Sequence, residues 1–295
     1  MKKIKYVDLH KQNKPYIKNF ELILKKFIES GSYILGNYVE KFEKDFSKYI
    51  NVKYAVGVGS GTDALYLSLK SLNIGEGDEV ITVANSYLAT SSSIFLTGAK
   101  PIFVDVSYDL NIDDSLIQKK INKRTKAIIV VHLTGNPANV LEIQKIAKKN
   151  NIPIIEDAAQ AIGARIGDKK VGSFGMTGCF SFHPLKNLNA LGDAGMITTN
   201  NKKFYKKINL LKNHGIVKKT KKNKNNWNYK IVSPGFNYRL SDLSCSLGIS
   251  QLAKINIFIK KRNEISHFYR RQLSKYTKYL DLPPTHDKEL SAYHL

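Results

Sequence analysis

Cysteine, tryptophan and acidic side chains are all scarce in this chain of 295 residues. Cys179 and Cys245 are its only cysteines and show no C-x-x-C spacing, which argues against a disulfide framework and against a cysteine-based zinc site. The seven histidines, His10, His132, His183, His214, His267, His286 and His294, form no metal-ligand pattern, so no metal is expected and each reads as structural or exposed. No run of 18 apolar residues occurs, and no membrane span is expected. The opening Met1-Lys2-Lys3-Ile4-Lys5-Tyr6 is basic, but no apolar segment with a small-residue cleavage site follows, so a cytoplasmic location is expected. Acids number 24 against 47 lysines and arginines, a formal charge of +23. Chains this basic often bind nucleic acid. Here the lysines fall in scattered pairs, such as Lys25-Lys26, Lys119-Lys120 and Lys148-Lys149, with no basic stripe interleaved with aromatics, so no nucleic-acid partner is expected. The densest run, 218–226, reads as a solvated loop, with attraction of a nucleotide diphosphate as its second reading.

What the chain does contain is alternation. Apolar runs at 54–58, 78–84, 101–106, 127–133, 152–156, 178–182 and 196–199 predict strands. Between them, apolar spacing of three and four predicts helices at 38–50, 62–73, 89–97, 140–150 and 202–214, two of them closed by Gly75 and Gly98. Strands alternating with helices in this way predict an α/β fold with a mainly parallel sheet covered on both faces. From Ser241 the pattern changes to one long helix over 242–276, and a domain boundary is placed there: 1–240 as a large domain and 241–295 as the start of a smaller one.

Three stretches carry chemistry. Ile154-Ile155-Glu156-Asp157 is an apolar strand ending in an acid, and the carboxyl end of a parallel strand faces the crevice where open α/β sheets bind ligands. Lys186 follows a second apolar run, 179–182, and precedes the glycine-punctuated 190–195. Val58-Gly59-Ser60-Gly61-Thr62-Asp63 reads as a strand turning through glycines into a helix start, where free N–H groups and the helix dipole favour a phosphate. One lysine among so many basic residues is by default a solvated charge. Beside a buried acid and a phosphate cup it acquires another reading. A lysine amine able to form a Schiff base with an aldehyde, and a carboxylate able to keep a pyridine nitrogen protonated, are the two groups that pyridoxal phosphate chemistry requires. Lys186 and Asp157 are the candidates.

The same stretches, with four others, carry a resemblance. Tyr33-Ile34-Leu35-Gly36, Ser60-Gly61-Thr62-Asp63-Ala64-Leu65, Asn85-Ser86-Tyr87-Leu88-Ala89-Thr90, Glu156-Asp157-Ala158-Ala159-Gln160, Ser181-Phe182-His183-Pro184-Leu185-Lys186 and Gly235-Phe236-Asn237-Tyr238-Arg239-Leu240 resemble, in order and spacing, the DegT/DnrJ/EryC1/StrS family. These are pyridoxal phosphate-dependent nucleotide-sugar aminotransferases of the type I, aspartate aminotransferase-like fold. The resemblance implies that Lys186 bonds to the cofactor aldehyde and moves the proton, while Asp157 pairs with the pyridine nitrogen. At an effective dielectric near 20 and about 3 Å, that attraction is on the order of 5 kcal/mol. It further implies that Gln160 bonds the ring hydroxyl, that Gly61, Thr62 and Ser181 hold the phosphate, and that Tyr87 stacks on the ring. Asn237 would reach the phosphate of a neighbouring subunit, which implies a homodimer with a shared site.

The activity so implied is amino transfer from a donor, L-glutamate by analogy, to a keto carbon of a nucleotide-linked deoxysugar, in the making of surface polysaccharide. Two alternatives stand beside it: a related sugar 3-dehydratase, whose branch carries histidine where this chain has Lys186, and a noncatalytic cofactor-binding or regulatory homologue. The run 186–195 is similar to the branch aminating C3 of dTDP-linked sugars, whereas 235–242 with 247–252 is more similar to the branch aminating C4 of UDP-linked sugars. Residues 282–285 and 291–295 resemble the family's approach to its small-domain sheet, so that domain is expected to be incomplete.

Overall fold

The computed structural model describes residues 5–217, 230–283 and 289–294. The lysine-rich run 218–226 and residues 284 and 285 lie outside the described residues. Seven strands form the central sheet: β1 Tyr54–Val58, β2 Glu79–Val83, β3 Lys100–Val104, β4 Thr125–Val131, β5 Ile154–Asp157, β6 Thr177–Ser181 and β7 Gly195–Thr199. Their order across the sheet is β1, β7, β6, β5, β4, β2, β3. Only β7 runs against its neighbours, so the sheet is mostly parallel, as the alternation predicts. Every residue of β2, β5, β6 and β7 is buried, which is why apolar residues occur on both faces of these strands rather than on one.

This topology gathers the chemistry at one edge. The carboxyl ends of β1, β2, β4, β5 and β6 all point the same way, and the start of β7 returns to that edge, Gly195 pairing with both Val58 and Ser181. A Cβ on Gly195 would lie 2.2 Å from the Ser60 carbonyl oxygen, so only glycine lets β7 start beneath the β1 turn. That turn leads into helix α2, Gly61–Ser71, which packs on the sheet behind α1, Asn37–Ile50, and ahead of α3, Ala89–Leu96.

Most predicted elements lie within one or two residues of the observed ones. The helix expected over 202–214 ends three residues early, at Leu211, and the long helix over 242–276 is two: α4, Asp242–Leu252, and α5, Ile255–Leu273, followed by a 3-10 turn Ser274–Tyr276. No proline or glycine marks the break. Long-range contacts set it: the buried Gln251 accepts from the Asn189 amide (2.9 Å) and donates to Asn13 (3.3 Å), pinning the end of α4, while Leu252, Ile255 and Ile259 turn into a core shared with Phe42, Phe46, Phe180 and Phe182. Helices Ile17–Ser30 and Asp114–Lys120, absent from the sequence reading, are also present. A small three-stranded sheet joins Arg165–Ile166 and Lys169–Lys170 to Glu289–Leu290.

One buried acid ties α4 to α1. The Asp242 carboxylate accepts from the amides of Gly36 (2.8 Å), Tyr38 (2.9 Å) and Val39 (3.2 Å), the donors that the start of α1 leaves free. Replacing Asp242 with alanine strands three donors beside the core and is expected to cost about 2–3 kcal/mol. The check is a urea unfolding midpoint that falls with little change in slope.

Candidate active site

Strand alternation separates the two acids that end β5. Asp157 faces the sheet's ligand edge, and Glu156 points to the opposite face. There Glu156 accepts from the amides of Gly172 (2.7 Å), Phe174 (2.7 Å) and Gly175 (2.6 Å), and pairs with His132 Nε2 at 3.1 Å. Since the Ala138 amide donates to His132 Nδ1 (3.0 Å), the ring proton sits on Nε2. Glu156 and His132 are thus structural: they fix the turn after β5 and the loop after β4.

Asp157 is the more exposed to chemistry. It is buried, and its carboxylate accepts from Thr90 Oγ1 (2.7 Å) and the Ala159 amide (3.2 Å). Ser86 Oγ lies 2.8 Å from Thr90 Oγ1 and donates to it, because the Thr90 proton is committed to Asp157. Burial pushes the Asp157 carboxyl above the usual range, opposed by the Thr90 and Ala159 bonds and then by the charge of Lys186. Lys186 moves the other way. Burial lowers its pKa, and only the Asp157 charge opposes this. The lysine sits in the connection from β6 to β7, a tight turn in which its own amide donates to the His183 carbonyl (2.8 Å), and the Ala190 amide reaches back to Phe182 (3.0 Å).

The phosphate cup lies alongside. Ser60 caps α2, its Oγ accepting from the Asp63 amide (3.0 Å), which leaves the first two amides, of Gly61 and Thr62, without acceptors in the helix. A Cβ on Gly61 would lie 2.8 Å from Ser181 Cβ, so glycine is what allows the helix start and the Ser181 hydroxyl to share one hollow. Gln160 Oε1 accepts from the Thr134 amide (2.9 Å), leaving its NH2 as the free donor. Tyr87 is 76% exposed, and its carbonyl accepts from the Thr90 amide (3.1 Å), one turn from the hydroxyl that holds Asp157.

Asp157, Lys186, Gln160, Gly61, Thr62, Ser181 and Tyr87 therefore converge on the carboxyl edge of the sheet. Asn237 is exposed, on a segment bridged through Asn213 and tied to the end of β1 by the Gly59 amide bonding the Tyr238 carbonyl (3.1 Å). Sequence reasoning assigned no role to Thr90, Glu156 or His132. Thr90 could have been found, since it lies one helical turn after Tyr87 within a motif already singled out.

These residues fit pyridoxal phosphate on their own chemistry. An ionised carboxylate has about four acceptor positions, and Asp157 meets one hydroxyl and one amide while burial works against its charge; a protonated ring nitrogen would supply the missing cation. The glycine cup offers two amides and a hydroxyl to a phosphate.

Residues 16–295 match the model of the DegT/DnrJ/EryC1/StrS aminotransferase family. The chain belongs to this family. It is a family of pyridoxal phosphate-dependent sugar aminotransferases. The chain is 39% identical over 293 residues to the dTDP-3-amino-3,6-dideoxy-alpha-D-galactopyranose transaminase of Aneurinibacillus thermoaerophilus, covering 99% of this chain and 78% of that one. Identity is also 39%, over 263 residues, to the UDP-4-amino-4,6-dideoxy-N-acetyl-beta-L-altrosamine transaminase of Campylobacter jejuni, covering 88% of this chain and 68% of the relative. A Methanocaldococcus jannaschii protein, MJ1066, is 40% identical over 83% of this chain, and the match spans 64% of its length. Among solved structures, DesV of S. venezuelae superposes with a TM-score of 0.91 at 31% identity, over all of this chain and 77% of its own. NtdA of Bacillus subtilis, solved with bound cofactor PMP, gives 0.90 at 30% identity, over all of this chain and 66% of its own.

Substitution of Lys186 by alanine is expected to leave the circular dichroism spectrum unchanged and to abolish any cofactor adduct fixed by borohydride. Arginine should not restore it, because a guanidinium stays protonated and cannot act as an amine nucleophile. An adduct persisting in the alanine variant would assign the anchor to another lysine.

Proposed function

We propose that this chain transfers an amino group from L-glutamate to the keto carbon of a nucleotide-linked deoxysugar, in the cytoplasm and as a homodimer with shared sites, in the making of surface polysaccharide. The observation that carries the reading is that Lys186 and Asp157 lie near enough at the carboxyl edge of the sheet for each charge to act on the other, while burial lowers the pKa of the lysine and raises that of the acid. The relatives' names support the substrate class, being transaminases of dTDP- and UDP-linked amino sugars. No helix among the described residues is long and apolar enough to cross a membrane.

The chemistry that pyridoxal phosphate supplies when bound is an aldehyde that takes up the amino group and a protonated ring that draws electrons from the carbon losing its proton. The protein's part is to place and polarise. Lys186, whose pKa burial lowers, would offer its amine to the aldehyde and would hold or move the proton at the substrate carbon. Asp157, held by Thr90 and Ala159, would keep a proton on the ring nitrogen. The amides of Gly61 and Thr62 with Ser181 Oγ would hold the phosphate, and the Gln160 NH2 the ring hydroxyl. Tyr87 would cover one ring face and exclude water from it. Because the carboxylate and the phosphate cup sit on strand ends rather than on free loops, the bound ring would be gripped at both ends.

Asn237 belongs to the shared site in this reading: it would reach the partner subunit's phosphate, which is supported by its exposure. Two inactive variants, Lys186→Ala and Asn237→Ala, are therefore expected to regain part of the glutamate half-reaction when mixed, because a mixed dimer holds one site with both residues intact. Heterodimers shown by mass that recover nothing would overturn the shared site. Purified protein is also expected to aminate at least one sugar in a panel of dTDP- and UDP-linked 3-keto and 4-keto deoxyhexoses. Failure on all, with glutamate exchange intact, would overturn the sugar assignment and leave the transaminase assignment standing.

A further inference from the structure

β1 lies at one edge of the central sheet, so no further strand of that sheet bonds its outer backbone. At Gly57 two side chains take that place. The Gly57 amide donates to Glu43 Oε1 (2.8 Å), and Lys212 Nζ donates both to the Gly57 carbonyl (3.1 Å) and to the same Glu43 Oε1 (3.0 Å). Glu43 belongs to α1, and Lys212 caps the carboxyl end of the helix Lys202–Leu211. Their side chains are only 17% and 5% exposed. Removing two charges from water costs about as much as their attraction returns, so a buried pair is a poor source of stability and is better suited to fixing geometry.

The main chain of Lys212 carries the link further. Its carbonyl accepts from the Tyr238 amide (3.0 Å), and the Tyr238 carbonyl accepts from the Gly59 amide (3.1 Å), immediately before the phosphate cup at 60–62. The Phe236 amide donates to the Leu211 carbonyl (2.6 Å), and the His214 amide to the Phe236 carbonyl (3.0 Å). Residues 236–239 are thus laced between 211–214 and the end of β1, with antiparallel bridges from Asn213 to Asn237 and from Val58 to Arg239. The rings of Phe236 and Tyr238 stack 5.0 Å apart, and both meet the Tyr66 ring of α2 edge-on. Alternation along this extended segment turns the Asn237 side chain away from those rings. One lysine therefore joins the cup to the segment that carries Asn237.

We propose that Lys212, paired with Glu43, is a positioning residue for the cofactor phosphate in two sites at once. Through Gly57 and Gly59 it sets the cup of its own subunit, and through residues 236–239 it sets the Asn237 that serves the partner subunit. A disturbance at Lys212 in one chain is then felt in both sites of the dimer. The second half of this assignment rests on the shared-site reading above, and the first half on contacts within one chain.

The test reads the pyridoxal phosphate concentration that half-saturates the borohydride-fixed adduct in heterodimers where only one chain keeps Lys186. The reference joins a wild-type chain to a Lys186→Ala chain. With Lys212→Met added to the Lys186→Ala chain, the competent site keeps its own cup and receives Asn237 from the altered chain. With Lys212→Met on the other chain instead, the cup is altered and the incoming Asn237 is not. Each arrangement is expected to need about ten times more cofactor than the reference, the weakening of one contact to a charged group. An unchanged value in either arrangement overturns the two-site role. Because Lys212→Met leaves the Glu43 charge unpaired, the double variant Glu43→Gln/Lys212→Met is run in the same pairings, with the melting temperature of the apoprotein. It is expected to regain the melting temperature and not the affinity. Recovery of both overturns the proposal in favour of a structural role. Asn237→Ala on the Lys186→Ala chain separates the two readings. An unchanged adduct there overturns the shared site itself, whereas a weakened adduct there, with none from Lys212→Met in the same chain, overturns only the role given to Lys212.

Discussion

The site turns on a carboxylate placed where water cannot screen it. Asp157 ends a strand flanked on both sides by parallel partners, so its backbone is fixed by β4 and β6 before its side chain makes any contact. Its neighbour Glu156 takes the opposite face and anchors the 172–175 turn, so one dipeptide serves both the frame and the chemistry. Burial makes the Asp157 charge costly, and the fold offsets part of that cost with the Thr90 hydroxyl and the Ala159 amide. What remains is a demand for a nearby cation. Lys186 meets it in part, and a protonated pyridine nitrogen would meet it fully.

The remaining parts of the site follow from sheet topology. Because β1, β2, β4, β5 and β6 are all parallel, the turns that leave them open on one edge, and the antiparallel β7 returns to that same edge. The connection between β6 and β7 must therefore cross the mouth of the crevice, and it carries Lys186. Two close approaches, Gly195 under Ser60 and Gly61 against Ser181, pull the phosphate cup tight against this connection. Residues 291–294 bring a fourth side from far along the chain, held by Asn187, Gly135 and Thr134.

Much of this was legible in the residues. Buried parallel strands leave continuous apolar runs, glycines mark tight turns, and an acid or lysine adjoining such a run is conspicuous; Asp157, Lys186 and the cup at 60–62 were all visible on that basis. Polar support was not. Thr90 and Glu156 matter through where their side chains point, and no local pattern records that. The break between α4 and α5 escaped for a similar reason: Gln251 is pinned by Asn13 and Asn189, both remote in sequence, and local periodicity continues through the bend.

The central claim is that Asp157 keeps the cofactor ring nitrogen protonated. The most direct measurement is the nitrogen-15 chemical shift of that ring nitrogen, in holoenzyme loaded with labelled pyridoxal phosphate, for the wild type and for Asp157→Asn at neutral pH. The wild type should show the shift of a protonated pyridine, and the variant, which loses the charge but keeps the shape, that of an unprotonated one. An unprotonated nitrogen in the wild type, or the same protonated shift in both proteins, would contradict the role given to Asp157.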